Sequence, residues 1–147
     1  MLTTKPVEPK LEFLAPFFVS VGPAQDFGGT PYGRRRIIDI TGGHFDGPNF
    51  RGKIIPGGAD WQIVRPDGST SVDTRYSLRT DDDSRVHIRT SGYRAGDPAV
   101  LEALLQGADP IDYYFRINAT FETSAPASKC MKYRYQRFKS RSMCLSD

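Results

Sequence analysis

The sequence has 147 residues, of which 38% are hydrophobic and 12% aromatic, which predicts one domain with a single core. No stretch approaches the roughly 18 consecutive apolar residues of a membrane span, and the N-terminus lacks the apolar segment of a secretory signal. We therefore expect a cytoplasmic protein without a membrane partner.

The net charge of +3 is concentrated at the C-terminus. Residues 129–147 contain six of the 20 basic residues and one of the 17 acidic residues, which leaves 14 basic and 16 acidic residues in 1–128. A nearly neutral body does not provide an electrostatic footprint for nucleic acid. We therefore predict a single domain over 1–128, followed by a divergent basic segment over 129–147.

The first half of the chain predicts short strands separated by glycine and proline. Phe17 to Val21 predicts an opening strand, and the turn residues from Gly22 to Gly33 predict a loop. Strands are then expected at 34–41, 50–55 and 59–64. Gly42-Gly43 and Gly57-Gly58 lie between these strands and match neither a dinucleotide nor a P-loop motif, so we interpret them as β-bulges or tight corners.

The second half predicts further strands and one helix. Residues 71–80 alternate, with Val72, Thr74, Tyr76 and Leu78 on one face. Strands are also expected at 85–90 and 113–123. Between them, an Asp-Pro start and a glycine end predict a short α-helix at about 97–106. Seven or so strands and one helix predict a mostly β fold, a closed or nearly closed antiparallel β-barrel.

Metal and nucleophile motifs are missing from the sequence. His44 and His87 have no metal-binding spacing, and Cys130 and Cys144 have no CxxC pattern. No nucleophile elbow or dinucleotide motif is found. We therefore expect no metal and no cofactor, which leaves acid–base and electrostatic catalysis for an enzyme.

Charged residues within the predicted strands are the most suggestive chemical feature. On an open sheet each would face solvent, but inside a barrel a charge must be paired or must serve a ligand. Tyr114 and Arg116 share one strand face, and with a carboxylate they could bind a phenol, an enol or a carboxylate. The sequence does not reveal which face points inward. The charged strand positions are Asp39, Asp60, Arg75, Arg79, Arg89 and Arg116.

Several motifs in fixed order resemble the DUF3237 (UPF0311) family. They are GRRRIIDITGGHFDGP at 33–48, IPGGADWQ at 55–62, YSLRTDD at 76–82, YYFR at 113–116 and FET at 121–123. The resemblance covers roughly 10–126. It implies an antiparallel barrel of the general kind seen in allene oxide cyclase and dirigent proteins, often oligomeric, as a dimer or a trimer. The C-terminal segment departs from the family pattern, which a native end, a splice product or a frameshift would each explain.

The resemblance also implies a pocket, for which we selected residues among the matched positions. Asp60, Trp61, Arg79, Tyr114 and Arg116 are expected to line it, with Arg35 and Tyr76 behind them. In the first hypothesis the protein is a cofactor-independent cyclase, isomerase or lyase of secondary metabolism that acts on an aromatic or polyketide-like molecule. Asp60 would act as acid or base, while Arg79, Arg116 and Tyr114 hold developing negative charge. Trp61, Arg35, Tyr76 and Arg89 would bind the ligand.

Two other hypotheses use parts of the same chain. The second is a non-catalytic barrel that binds a small molecule between Trp61 and the tyrosines. The third is nucleic-acid binding by the basic segment, in which Tyr133, Tyr135 and Phe138 would stack on bases. The third is the weakest of the three, because basic tails are commonly just solvated.

Overall fold

The computed structural model describes residues 12–106 and 113–125. These residues form one antiparallel sheet in which each strand pairs with the next along the chain. The prediction of a mostly β fold with one short α-helix is confirmed. The elements are β1 (Phe17–Thr30), β2 (Gly33–Asp46), β3 (Arg51–Val64), β4 (Thr70–Thr80), β5 (Arg85–Ala95), α1 (Pro98–Leu105) and β6 (Tyr114–Thr123).

The glycine pairs bend the strands instead of ending them. β2 continues through Gly42-Gly43, and β3 continues through Pro56-Gly57-Gly58. The register shifts between Ile40 and His44 in the first case, and between Ile55 and Ala59 in the second. These shifts agree with the bulges expected at both pairs. The described residues contain six strands instead of seven or so, because the segments predicted at 50–55 and 59–64 are one strand.

The loop predicted from Gly22 to Gly33 is wrong. β1 extends to Thr30, and only Pro31 and Tyr32 form the turn into β2. The β1–β2 register shifts between Val21 and Ala24 and again between Asp26 and Gly28. Because β1 is an edge strand in the described part of the sheet, these irregularities and Pro23 interrupt hydrogen bonding on one side only.

Strong curvature brings the two edge strands of the sheet together. In a flat sheet, β1 and β6 would lie about 24 Å apart, five strand spacings of about 4.8 Å. Instead, the ring centroids of Phe17 on β1 and Phe121 on β6 are 6.5 Å apart. Phe17 also stacks on Phe45 at 5.2 Å, and Phe50 meets Phe121 edge to face at 6.0 Å. This aromatic cluster (Phe17, Phe45, Phe50 and Phe121) joins the edges by side-chain contact.

Hydrogen-bonded closure of the barrel is not present in the described part of the chain. The strand order runs from β1 to β6, and no ladder pairs those two strands within residues 12–106 and 113–125. The sheet is curved and antiparallel, as the prediction of a closed or nearly closed barrel requires. The hydrogen-bonded ladder that would close it is not found among the described residues. Aromatic packing brings edges together without aligning the backbone groups that a ladder requires.

The interior has an apolar end and a polar end. Leu78, Val86 and Ile88 are almost completely buried near the aromatic cluster. At the opposite end, α1 follows β5, and its buried Leu101 packs close to Gly68 in the β3–β4 turn. The Asp97 side chain caps this helix by accepting a hydrogen bond from the Ala99 backbone N–H at 2.8 Å. The buried polar residues Asp60, Gln62, Ser69, Thr70 and Thr90 belong to this end.

Two predictions concern the ends of the chain and its relation to a membrane. The segment 129–147, together with the nucleic-acid hypothesis that depends on it, lies outside the described residues. Within the ranges that are described, no helix has the length and apolar character needed to cross a membrane.

If the aromatic cluster holds the curved sheet together, shortening Phe121 should destabilise the protein strongly. The Phe121 side chain is 4% exposed, and truncation of a buried phenylalanine typically costs about 3–5 kcal/mol. We expect Phe121→Ala to lower the free energy of unfolding by that amount in urea titrations. The matched control is Phe18→Ala, because Phe18 is 48% exposed and stacks on His44 outside the core. Equal losses in the two variants would contradict this account of closure.

Candidate functional site

Alternation along the strands divides the residues predicted for the site between two faces. Asp60 and Tyr76 face the interior, and each is 7% exposed. The other six residues lie on the outer face, at positions that alternate with inward-facing neighbours. The structure therefore does not bring them together with Asp60, and the pocket expected from the sequence is corrected in this respect. The six are Arg35, Trp61, Arg79, Arg89, Tyr114 and Arg116.

Most of the outer candidates contact other surface residues. Arg79 forms an ion pair with Asp83 in the following turn. The Nε of Arg89 donates to Asp73 Oδ1 at 3.2 Å. Cation–π contacts pair Arg116 with Tyr114 and Arg75 with Trp61, at 5.3 and 5.7 Å from the ring centroids. Such exposed pairs contribute little to stability, and they give these charges partners outside the barrel.

Asp60 lies in the polar end of the interior. On β3 it faces Ile38 of β2 on one side and Thr74 of β4 on the other. Thr74 in turn lies opposite Thr90 of β5, and the two hydroxyls are hydrogen-bonded to each other. Strand register thus places one carboxyl group and two hydroxyl groups in a single row across the inner face. We call Asp60, Gln62, Thr74, Thr90, Arg94 and Arg36 the interior cluster.

Gln62 donates a hydrogen bond to one oxygen of the Asp60 carboxyl group. It lies two residues further along β3, is 3% exposed, and its Nε2 donates to Asp60 Oδ2 at 2.6 Å. Asp60 Oδ1 and Gln62 Oε1 are buried and have no hydrogen-bond partner among the described residues. Because buried polar atoms are nearly always paired, these two oxygens are available to accept hydrogen bonds from a water molecule or a ligand.

Arg94 and Arg36 add positive charge to the same inner face. Arg94 on β5 lies opposite Thr70, and its Nη2 donates to Thr70 Oγ1 at 3.3 Å. Its Nε is buried and has no partner among the described residues. Arg36 on β2 lies opposite Gln62. Burial, and then the like charge of Arg36, lower the pKa of Arg94.

The interior raises the pKa of the Asp60 carboxyl group. Removal from water is the largest cause, because burial disfavours the charged form. The hydrogen bond from Gln62, the charge of Arg94 and a weaker backbone interaction with Asp73 lower the pKa of Asp60, but they do not cancel the effect of burial. Burial also raises the pKa of the nearby Tyr76 hydroxyl. A carboxyl group with a raised pKa and one unpaired oxygen is suited to exchange a proton with a ligand.

The described residues offer no obvious metal site. Within 12–106 and 113–125, no three His, Cys, Asp or Glu side chains are grouped so as to hold a metal ion. The groups available to a ligand in the interior cluster are a carboxyl, an amide, two hydroxyls and two guanidinium groups.

Sequence reasoning found Asp60 but missed its main neighbours. Gln62 lies in the IPGGADWQ motif and Arg36 in GRRRIIDITGGHFDGP, but neither was assigned a role, and Arg94 lies outside the quoted motifs. The available signal was period-2 alternation, since Gln62 follows Asp60 by two positions and Arg94 follows Thr90 by four. That signal becomes useful only when the inward face is known, and burial of the strands decides it.

The raised pKa of Asp60 predicts a pH-dependent stability difference. The native state holds the Asp60 proton more tightly than the unfolded chain, so stability falls as pH rises above the ordinary carboxyl value of 3.8. Asn does not titrate and avoids this loss. We therefore expect Asp60→Asn to gain stability relative to the parent between pH 4 and 7, measured by urea unfolding at each pH.

The exposed residue Asp82 provides a control in which the change in stability with pH should have the opposite sign. Asp82 accepts hydrogen bonds from the Thr80 hydroxyl and the Ser84 backbone N–H, which lower its pKa. Its contribution to stability is therefore complete above pH 3.8 and is lost at lower pH. Asp82→Asn should lose stability relative to the parent as pH rises. A flat profile for Asp60→Asn would mean that burial does not perturb its carboxyl group.

Comparison with known proteins relates the fold and sequence to one family. A β-barrel-like protein from Acinetobacter baumannii has a solved structure that matches with a TM-score of 0.76 and 43% identity, covering 88% of this chain and 85% of that chain. A UPF0311 protein of Clostridium acetobutylicum is 46% identical over 101 residues, which are 67% of this chain and 64% of that relative. The chain thus spans just under two thirds of the length of that relative.

A more distant relative has a described activity. The hydroalkoxylation enzyme phnH of Penicillium herquei is 31% identical over 90 residues, which cover 61% of this chain and 60% of the enzyme. The family model described as protein of unknown function (DUF3237) matches residues 9–135. Because that match includes most of the chain, this protein belongs to the DUF3237 (UPF0311) family, as its ordered motifs indicated.

Proposed function

We propose that this protein is a cofactor-independent enzyme that closes a ring in a small organic molecule by adding a hydroxyl group across a carbon–carbon double bond. The observation that carries the proposal is the buried Asp60 carboxyl group, whose Oδ1 has no partner among the described residues and whose pKa is raised by burial. Such a group can donate a proton at a pH where an exposed aspartic acid is already ionised.

The relative from Penicillium herquei supports the choice of reaction. Its name describes hydroalkoxylation, the addition of an O–H group to a carbon–carbon double bond. This relative is 31% identical to the chain over 90 residues, and we therefore propose the same type of reaction for the interior cluster. An aromatic or polyketide-like substrate that carries both a hydroxyl group and an alkene meets its requirements.

The proposed step is an isomerisation in which all atoms are conserved. Asp60 Oδ1 transfers its proton to one alkene carbon, and the substrate hydroxyl oxygen forms a bond to the other carbon as positive charge develops there. The hydroxyl proton returns to Asp60, directly or through a neighbouring hydroxyl group. One C–H and one C–O bond form, while the O–H bond and the π bond are lost. The balance requires neither oxidant nor reductant.

The neighbours of Asp60 have distinct roles in this proposal. Gln62 is a positioning residue, because its hydrogen bond to Oδ2 directs Oδ1 toward the substrate. Thr74 and Thr90 provide hydroxyl groups beside the carboxyl group. Arg79, Arg116 and Tyr114, expected from the sequence to hold negative charge, lie on the outer face, so Arg94 takes that role here. Tyr76 remains a candidate wall of the site.

Turnover of hydroxyl-alkene compounds tests the proposal directly. We expect the parent protein to convert at least one member of a panel of alkenyl phenols into a product of identical mass that lacks the free hydroxyl group. In D2O the product should contain one deuterium bound to carbon. Mass spectrometry and NMR measure both outcomes. Asp60→Asn should reduce kcat by about 10²–10⁴-fold, the usual contribution of a general acid.

Asp39→Asn is the matched control for this experiment. Asp39 lies opposite Ala59, the residue before Asp60, but it is exposed and accepts a hydrogen bond from Gln25 Nε2 at 3.0 Å, so its loss should leave kcat within about threefold. Unchanged turnover in Asp60→Asn would contradict the mechanism. Tight binding of the panel without any turnover would instead favour a non-catalytic barrel that binds small molecules.

A further inference from the structure

The two arginines of the interior cluster have more positive charge than the described interior neutralises. Neither Arg36 nor Arg94 forms an ion pair with a carboxylate of the described residues. Asp26 lies opposite Arg36 on β1 and its charge interacts with that of Arg36, but its ion pair is with Arg34. Among the described residues, Asp60 provides the interior carboxyl group, and burial biases it toward its neutral form. A partly desolvated charge is less favourable without an opposite charge, and an anionic ligand group would supply one.

The position of Arg94 on β5 directs its guanidinium N–H groups toward the interior. Arg94 is half-buried at the inward position of β5, opposite Thr70 on one side and Phe115 on the other. Its Nη2 is engaged by Thr70 at 3.3 Å, whereas the buried Nε is unpaired within the described part of the chain. Arginine binds oxygen anions through such a planar array of N–H groups, often with two parallel hydrogen bonds.

Arg94 is also close enough to Asp60 for their charges to interact. Its charge lowers the pKa of the Asp60 carboxyl group, and Asp60 in turn raises that of Arg94. One small molecule could therefore contact Asp60 at one end while an anionic group at its other end binds Arg94. The amide oxygen of Gln62 has no partner among the described residues, and the residue is 3% exposed; this oxygen can accept a hydrogen bond from a ligand hydroxyl group.

We infer that Arg94, assisted by Arg36, binds an anionic oxygen group of the substrate, so that the substrate is an organic anion in which the reacting alkene lies away from the charge. This anionic oxygen group is a carboxylate or an ionised acidic phenol or enol. The inference rests on the proposed function, because it names the charge of the substrate of that site. Neutral alkenyl alcohols would then be poor substrates, since the desolvated guanidinium groups would remain unpaired.

Calorimetric titration with simple anions tests this assignment on the full chain. The probes are benzoate with its neutral analogue benzamide, and 4-nitrophenolate with its neutral analogue 4-nitroanisole. We expect at least one anion to bind at least tenfold more tightly than its neutral analogue. Preference for benzoate assigns a carboxylate, whereas preference for nitrophenolate assigns an acidic phenol or enol. Equal binding of anions and neutral analogues would overturn the inference.

Substitutions then identify the residue responsible. Arg94→Gln should weaken binding of the preferred anion at least tenfold, and Arg94→Lys should weaken it less. Arg85→Gln is the control, because Arg85 is an exposed residue at the start of the same strand; it should bind within twofold of the parent. If thermal melting shows that Arg94→Gln does not fold, Arg36→Gln provides the same test. Unchanged anion affinity in the folded variants would overturn the inference.

Measuring both anion binding and turnover in the Asp60→Asn variant distinguishes an error in this inference from an error in the proposed function. It should bind the anion at least as tightly as the parent, because no negative charge can then form at position 60 near Arg94, while turnover is lost. Arg94-dependent anion binding without turnover of any hydroxyl-alkene compound would contradict only the proposed function. Turnover that is equally fast with neutral and anionic substrates would contradict only the inference about charge.

Discussion

The contact between Phe17 on the first strand and Phe121 on the last is the feature on which the interior depends. Without strong curvature, the edges of a six-stranded sheet would be far apart, and both faces would be accessible to water. Because the aromatic cluster brings β1 to β6, one face becomes a core and the other remains a surface. Asp60 is deprived of water for this reason, which is the cause of its raised pKa.

The two ends of the interior have different physical roles. The apolar end, with Leu78, Val86 and Ile88, supplies favourable burial of hydrocarbon. The polar end opposes folding, because each unpaired buried donor or acceptor costs about 1–3 kcal/mol. Asp60, Gln62 and Arg94 each contribute such an atom. A ligand that pairs with these groups would recover part of the loss.

The outer face explains why charge alone was a poor guide to the site. Arg75, Arg79, Arg89 and Arg116 lie in strands just as Arg94 does, yet they pair with aspartates or aromatic rings at the surface. What distinguishes Arg94 is its position on the buried face and an Nε without a partner among the described residues. For this chain, a chemical hypothesis is therefore better based on inward-facing strand positions than on all charged residues of the strands.

The sequence alone determined the features that depend on local patterns. Alternation predicted most strands and grouped Val72, Thr74, Tyr76 and Leu78 on one face, and the Asp-Pro start and glycine end predicted α1. The family followed from ordered motifs such as IPGGADWQ. These signals are local in the chain, so they need no knowledge of what each strand packs against.

Tertiary structure decided which face points inward and which charges come together. Strand alternation is symmetric, so the pattern around Asp60 and Trp61 fits either orientation until curvature and burial select one. Tertiary pairing also overrode local turn chemistry, because β1 continues through Gly22 and Pro23 by pairing with β2. The interior cluster joins residues from four strands, β2 to β5. Only the register between those strands places Arg94 and Arg36 on the same inner face as Asp60, because sequence separation does not determine proximity across a sheet.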